Sequence, residues 1–122
     1  FGIGKLYYRR DRINKPETKI KFIKIKKNMG WCDDVKYPKK YNCLIETSSK
    51  VKHEKLYRSD HKYDLLIPIK YNYKKKVVGR GSCIFMHLTS NYNPTAGCIA
   101  LKKKDYLIML KLINKNTKIR IS

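Results

Sequence analysis

The sequence predicts a mostly β domain with one helix placed late in the chain. Three observations carry that prediction. Short apolar runs, among them Tyr63 to Ile69, Ser82 to Met86 and Cys98 to Leu101, are bounded by Gly, Pro and Asn and have the length of buried strands. A single stretch, Lys102 to Asn114, carries apolar residues at helical three- and four-residue steps. The 122 residues suit one small domain over 1–122, able to bury roughly 65% of its unfolded surface.

Phe1 to Tyr8 alternates loosely and reads as a strand, closed by the charged turn Arg9-Arg10-Asp11-Arg12 and by Pro16. In Lys19 to Lys26, Ile20 and Phe22 set a period of two that Ile23 breaks. This predicts a strand with one wet face and a bulge at Phe22-Ile23. Asn28-Met29-Gly30 turns the chain toward Trp31-Cys32-Asp33-Asp34. Val35 to Ser49, rich in Tyr, Lys and Asn with Pro38, reads as an irregular loop, and His53 and His61 read as solvated loop residues. Tyr63 to Ile69 is the strongest apolar run and reads as a central strand. Pro68 offers no N–H, so a bulge or an edge is expected near its end. Tyr71 to Lys76 is a basic connection. In Lys102 to Asn114, Tyr106, Leu107, Leu110 and Ile113 form one apolar face, with Asp105 suited to the first turn and Lys111 to the last. Lys115 to Thr117 breaks the helix, and Lys118 to Ile121 reads as a closing strand.

Thirty basic residues against nine acidic ones give a net charge of +21, which raises the question of nucleic acid. The kind of base argues otherwise. Six are Arg and twenty-four Lys, scattered through every segment with no Arg-rich stripe and no recognisable nucleic-acid motif. Lys, Asn, Ile and Tyr are all abundant, as codon bias in an AT-rich genome produces. No specific nucleic-acid partner is expected, only non-specific attraction to anionic polymers or headgroups. No run of 18 apolar residues is present, so no membrane span is expected. The chain opens on Phe1-Gly2-Ile3-Gly4 without Met, and further residues are expected before it. Cys32, Cys43, His87 and Cys98 lack zinc-site spacing, so no metal is expected. Cys32 and Cys43 stand either as a loop-closing disulfide or as two reduced thiols, and Cys83 reads as core.

The chemistry concentrates between Gly79 and Leu101. Two apolar runs flank a polar loop marked by Asn91, Asn93 and Pro94; His87 ends the first and Cys98 begins the second. If the runs pair as neighbouring strands, His87 and Cys98 come to the same end of the sheet. An imidazole can then hold a thiol as a thiolate–imidazolium pair. Gly97 lets backbone approach a substrate carbonyl, and N–H groups there can receive a developing oxyanion, worth about 3–4 kcal/mol per well-aimed donor. Spacing alone also admits a core cysteine beside a structural histidine. Arg80, between Gly79 and Gly81, stands either as a carboxylate-binding fork or as a solvated turn residue.

The residues carry more than spacing. His87, then Thr95-Ala96-Gly97-Cys98-Ile99-Ala100-Leu101, resembles the active-site signature of the L,D-transpeptidase catalytic domain (YkuD-like) family. Gly79-Arg80-Gly81-Ser82, Trp31-Cys32-Asp33-Asp34 and Tyr63-Asp64-Leu65-Leu66 resemble a compact alphaproteobacterial-type subgroup of it, and the likeness runs from about Tyr7 to Ile121. It implies a twisted β-sandwich with a helix on its side, and N-terminal strands that would precede Phe1. It implies a cofactor-free enzyme of the periplasm or cell envelope acting on peptidoglycan stem peptides, with Cys98 as nucleophile and His87 as base. The thiolate would cleave the diaminopimelate–D-Ala bond of a tetrapeptide and pass the acyl group to an amine of a second stem. Water as acceptor would give an L,D-carboxypeptidase, and a non-catalytic peptidoglycan-binding module is a further reading. Thr95 or a loop carbonyl would orient His87. Trp31 would wall the substrate while Asp33 or Asp34 received the diaminopimelate amine; a core Trp and a turn-capping Asp is the plainer reading. The chain departs from the family pattern in three ways. Ala96 stands where many members have a second His, Ala100 where many have Arg, and the loop before Cys98 is shorter. Acceptor, cross-link type and oligomeric state stay open.

Overall fold

Along Leu6–Tyr8, Leu65–Pro68 and Phe85–Leu88, successive residues go to opposite sides of one sheet, and both sides are covered. A computed structural model describes residues 1–48, 50–90 and 98–120. Its strands are β1 (Leu6–Tyr8), β2 (Phe22–Lys24), β3 (Met29–Cys32), β4 (Leu44–Glu46), β5 (His53–Lys55), β6 (Leu65–Pro68), β7 (Phe85–Leu88) and β8 (Ile99–Leu101), followed by helix α1 (Lys103–Leu112). Five strands form one sheet in the order β2-β1-β6-β7-β8; three form another in the order β4-β3-β5. The fold is thus mostly β with one late helix, a sandwich as expected.

Alternation assigns the layers. Leu6, Tyr8, Leu65, Ile67, Met86 and Leu88 join Tyr106, Leu110 and Ile113 in the core under α1. Tyr7, Leu66 and Phe85, the residues between them, join Trp31, Leu56 and Tyr63 under the three-stranded sheet. A strand covered on both faces has no polar positions to alternate with, which is why Leu65-Leu66-Ile67 reads as an unbroken apolar run. All three are fully buried, each contributing on the order of 1.5–3 kcal/mol. β6 is the middle strand of its sheet.

Pro68 sits at the last position of β6, and the pairing slips beside it. Tyr7 faces Leu66, whereas Ile3 faces Ile69, so four steps on one chain match three on the other. The extra residue is a bulge at Gly4–Lys5, opposite the proline that has no N–H to give. The Gly4 N–H donates to the Pro68 carbonyl at 2.8 Å.

Other expectations change. The strand expected over Lys19 to Lys26 shrinks to β2, parallel to β1, and its register runs unbroken through Phe22-Ile23 with no bulge. Ile20 and Ile25, outside the strand, are the buried members, while Phe22 is 41% exposed at the sheet edge with the Lys15 ammonium over its ring. The expected loop Val35 to Ser49 contains β4, and the expected loop around His53 contains β5. Both are held by antiparallel ladders to β3 rather than by an apolar pattern. The expected closing strand reduces, among the described residues, to one bridge, Gly2 to Lys118, and a bond from the Ile119 N–H to the Phe1 carbonyl. Cys32 and Cys43 are separate thiols, with the Cys32 N–H donating to the Cys43 carbonyl.

Candidate active site

β7 and β8 pair in parallel, with His87 level with Ala100 and Met86 level with Ile99. Met86 and Leu88 face the helix side, so His87 faces the three-stranded sheet. Cys98 immediately precedes β8 and packs against the Phe85 cluster on that same side. His87 and Cys98 are therefore diagonal neighbours on one face, two positions apart along the ladder.

The imidazole is placed by its own strand. His87 is 2% exposed, and its Nδ1 lies 2.8 Å from the carbonyl oxygen of Leu88. A carbonyl only accepts, so Nδ1 carries the proton and Nε2 keeps its lone pair. Nε2 is buried without a hydrogen-bond partner among the described residues. Burial pulls the His87 pKa below its ordinary 6.5, outweighing the opposing pull of the Leu88 carbonyl. A neutral imidazole with an unoccupied Nε2 is the form a base needs. The Tyr63 ring meets His87 edge to face at 5.8 Å and Phe85 at 5.6 Å.

The cysteine is placed by a strained neighbour. The Cys98 thiol donates to the Cys83 carbonyl at 3.4 Å. Cys83 has a φ of 59°, a left-handed conformation uncommon for a residue with a side chain, and it turns that carbonyl toward Cys98. The segment is tied to the second sheet, with the Ser82 hydroxyl donating to the Cys32 carbonyl at 2.6 Å and the Cys83 thiol to the Trp31 carbonyl at 3.8 Å. Burial pushes the Cys83 thiol up to about 12, so it stays protonated and is no rival nucleophile.

A model of the YkuD family, the L,D-transpeptidase catalytic domain, matches residues 2–121. The chain belongs to this family. A search of curated proteins and a search of solved structures each returned no match.

As an L,D-transpeptidase-family domain, the chain brings some of the expected site residues together and holds others apart. Trp31 lines the face opposite Phe85 at 5.5 Å, and its indole N–H donates to the buried Asn42 side chain at 2.9 Å. The Asp34 carboxylate accepts from the Lys36 N–H at 3.0 Å and the Lys52 N–H at 2.9 Å, which commits it to the turn and lowers its pKa. Asp33, beside it, has one buried carboxylate oxygen with no partner among the described residues. Arg80 is exposed in the loop before β7, its N–H donating to the Val77 carbonyl. Thr95, Ala96 and Gly97 lie outside the described residues. Among the described residues, the group that holds His87 Nδ1 is the carbonyl of Leu88, its neighbour in the strand.

Sequence reasoning missed Tyr63 and Glu54 as members of the site. The Tyr63 hydroxyl donates to Glu54 at 3.1 Å, and Arg58 donates to Glu54 at 3.1 Å and to Asp60 at 2.7 Å. Behind this, Asp64 accepts from Arg12 at 2.9 Å and pairs with His61 at 2.7 Å. The signal available was three of the nine acids, Glu54, Asp60 and Asp64, gathered around Arg58 in a lysine-rich chain. A cavity of about 620 Å³ lies elsewhere, lined by Trp31, Tyr7 and exposed lysines but by neither His87 nor Cys98. No group of three or more His, Cys, Asp or Glu among the described residues is placed to hold a metal ion, and no helix is long and apolar enough to cross a membrane.

Proposed function

We propose that this single domain is a peptidoglycan L,D-transpeptidase of the cell envelope, with Cys98 as nucleophile and His87 as base. The observation that supports it most is the His87 imidazole, fixed by the Leu88 carbonyl as the Nδ1–H tautomer, on the same sheet face as Cys98. His87 Nε2 takes the thiol proton, and the thiolate attacks the carbonyl joining diaminopimelate to the terminal D-Ala of a tetrapeptide stem. The tetrahedral oxyanion is received by backbone N–H groups at Gly97 and Cys98. The C–N bond breaks, D-Ala leaves with the proton from His87, and a thioester remains on Cys98. An amine of a second stem then attacks the thioester, forming an amide and returning the thiol. Trp31 and Thr95 line the donor stem, Arg80 offers a fork for a stem carboxylate, and Asp34 holds the turn on which Asp33 sits.

Product analysis tests this reading. Incubation with disaccharide-tetrapeptide should yield a dimer that has lost one D-Ala, and Cys98→Ala should abolish it. A Cys98-dependent tripeptide monomer instead would make water the acceptor and the enzyme a carboxypeptidase. Unchanged substrate would leave a binding module.

A further inference from the structure

Three of the residues facing Cys98 and His87 across the sandwich come from one face of the small sheet. Trp31 pairs with Glu54 across β3 and β5, so their side chains share a face. The Asp33 N–H donates to the Lys52 carbonyl at 3.2 Å, continuing the same ladder, so Asp33, two residues beyond Trp31, projects to that face too. It is the face that Trp31 turns to Phe85.

The nucleophile's own support is fastened beside Asp33. Ser82 is bonded to the Cys32 carbonyl, Cys83 to the Trp31 carbonyl, and Cys98 to the Cys83 carbonyl. The charges of Asp33, Glu54 and Cys98 all act on the one Cys83 thiol. Two carboxylates thus stand near Cys83, whose carbonyl receives the Cys98 thiol, in a chain that has only nine acids.

Asp33 differs from the other aspartates around it. Asp34 is filled by two backbone N–H groups, Asp11 by Arg9, Asp60 by Arg58, and Asp64 by Arg12 and His61. Asp33 Oδ1 is buried and has no donor among the described residues, although thirty basic side chains are available to the chain. A buried carboxylate oxygen without a donor is costly, and a cation supplies what it lacks. Glu54 is held at fixed orientation, its Oε1 shared by the Tyr63 hydroxyl and Arg58, and adds a second negative group on the same face.

We infer that Asp33, assisted by Glu54, forms a subsite for a primary ammonium group, the free side-chain amine of diaminopimelate in the donor stem. The inference rests on the stem-peptide reading above and names which part of the stem is recognised. An ammonium is compact, carries three donors and fits beside a single carboxylate oxygen where a guanidinium fork does not. Such a subsite sets the attacked carbonyl by its own residue, since the amine and the scissile bond belong to the same diamino acid.

Equilibrium binding tests this apart from turnover. The Cys98→Ala chain is titrated by calorimetry with tetrapeptide and with the same tetrapeptide N-acetylated at the side-chain amine. The free amine should bind about tenfold more tightly, the size of one charged hydrogen bond. Adding Asp33→Asn should erase that preference while leaving the acetylated peptide's affinity unchanged, and Glu54→Gln should shrink it. Equal affinity of the two peptides in the Cys98→Ala chain overturns the subsite, and that comparison needs no change at Asp33. No binding of either peptide, or an Asp33→Asn loss shared equally by both, also overturns it. If the preference reverses onto an isolated acceptor amine, the donor assignment falls. Amine-dependent binding with no turnover by the Cys98-containing chain would keep the subsite and overturn the acyl-transfer reading.

Discussion

His87 is neutral because it is buried, and that fixes how the site should respond to pH. Burial lowers its pKa from 6.5, with Lys62 and Arg58 adding to the effect and the Leu88 carbonyl opposing it. The folded chain therefore binds this proton less readily than the unfolded chain does. The corresponding stability is fully present above pH 6.5 and is lost as pH falls through the lower folded value. The base-competent form persists into the same acidic window. Alkylation of Cys98 by iodoacetamide should thus keep its rate down to a pH below 6.5 and then drop, and His87→Ala should remove that step; a midpoint at or above 6.5 would contradict a buried neutral base. That His87 and Cys98 come together on one sheet was legible in the sequence, because glycine, proline and a polar loop punctuate the two apolar runs that pair as β7 and β8; their chemical roles rest on the family resemblance. Asp33 and Asp34 were legible only as a pair, since one filled carboxylate and one unfilled one differ by backbone N–H groups that arrive from Lys36 and Lys52. Glu54 was not legible, because its role depends on facing Trp31 across a ladder between residues 23 positions apart.

Among the elements, those that carry a core were readable and those held by a partner were not. β6 announces itself because both faces of Leu65-Leu66-Ile67 are buried, and α1 because Tyr106 and Leu110 recur at one turn's spacing. Pro68 marked the place where the β1–β6 register slips, a case of missing hydrogen-bond capacity read directly from residue type. β4 and β5 span three residues each, Leu44–Glu46 and His53–Lys55, and only the N–H and C=O groups of β3 make them strands. β2 was overestimated because Ile20 and Ile25 are buried from outside the strand. Leu66 is fully buried at the centre of the layer that separates β6 from Trp31 and Tyr63. Leu66→Ala should cost about 2–5 kcal/mol in urea unfolding; a loss under 1 kcal/mol would show that the two sheets do not pack as described.

The whole molecule divides its charges by type. Asp11, Glu54, Asp60 and Asp64 are paired by Arg9, Arg12, Arg58 and His61. Arginine's planar fork suits these tasks, holding Asp60 with two bonds and tying Arg9 to both Asp11 and the Arg58 carbonyl. Arg58 draws the Asp60 carboxyl down to about 2, so that pair's contribution is complete above the unfolded value of 3.8 and fades as pH falls through about 2. The lysines give the chain its net +21 as a solvated surface, and the total charge was for that reason the least informative feature of the sequence about the site. The five-stranded sheet is the common wall of both cores, and its inner face presents His87 and Cys98 to the small sheet that carries Trp31, Asp33 and Glu54.

The intact mass of the chain after brief mixing with tetrapeptide stem reports whether an acyl group is carried on Cys98. Acyl transfer through Cys98 predicts a species heavier by the stem less its D-Ala, borne on Cys98 by peptide mapping, absent in Cys98→Ala and slow to form in His87→Ala. A chain whose mass never changes, or an adduct mapping to Cys83, Cys32 or Cys43, would contradict it.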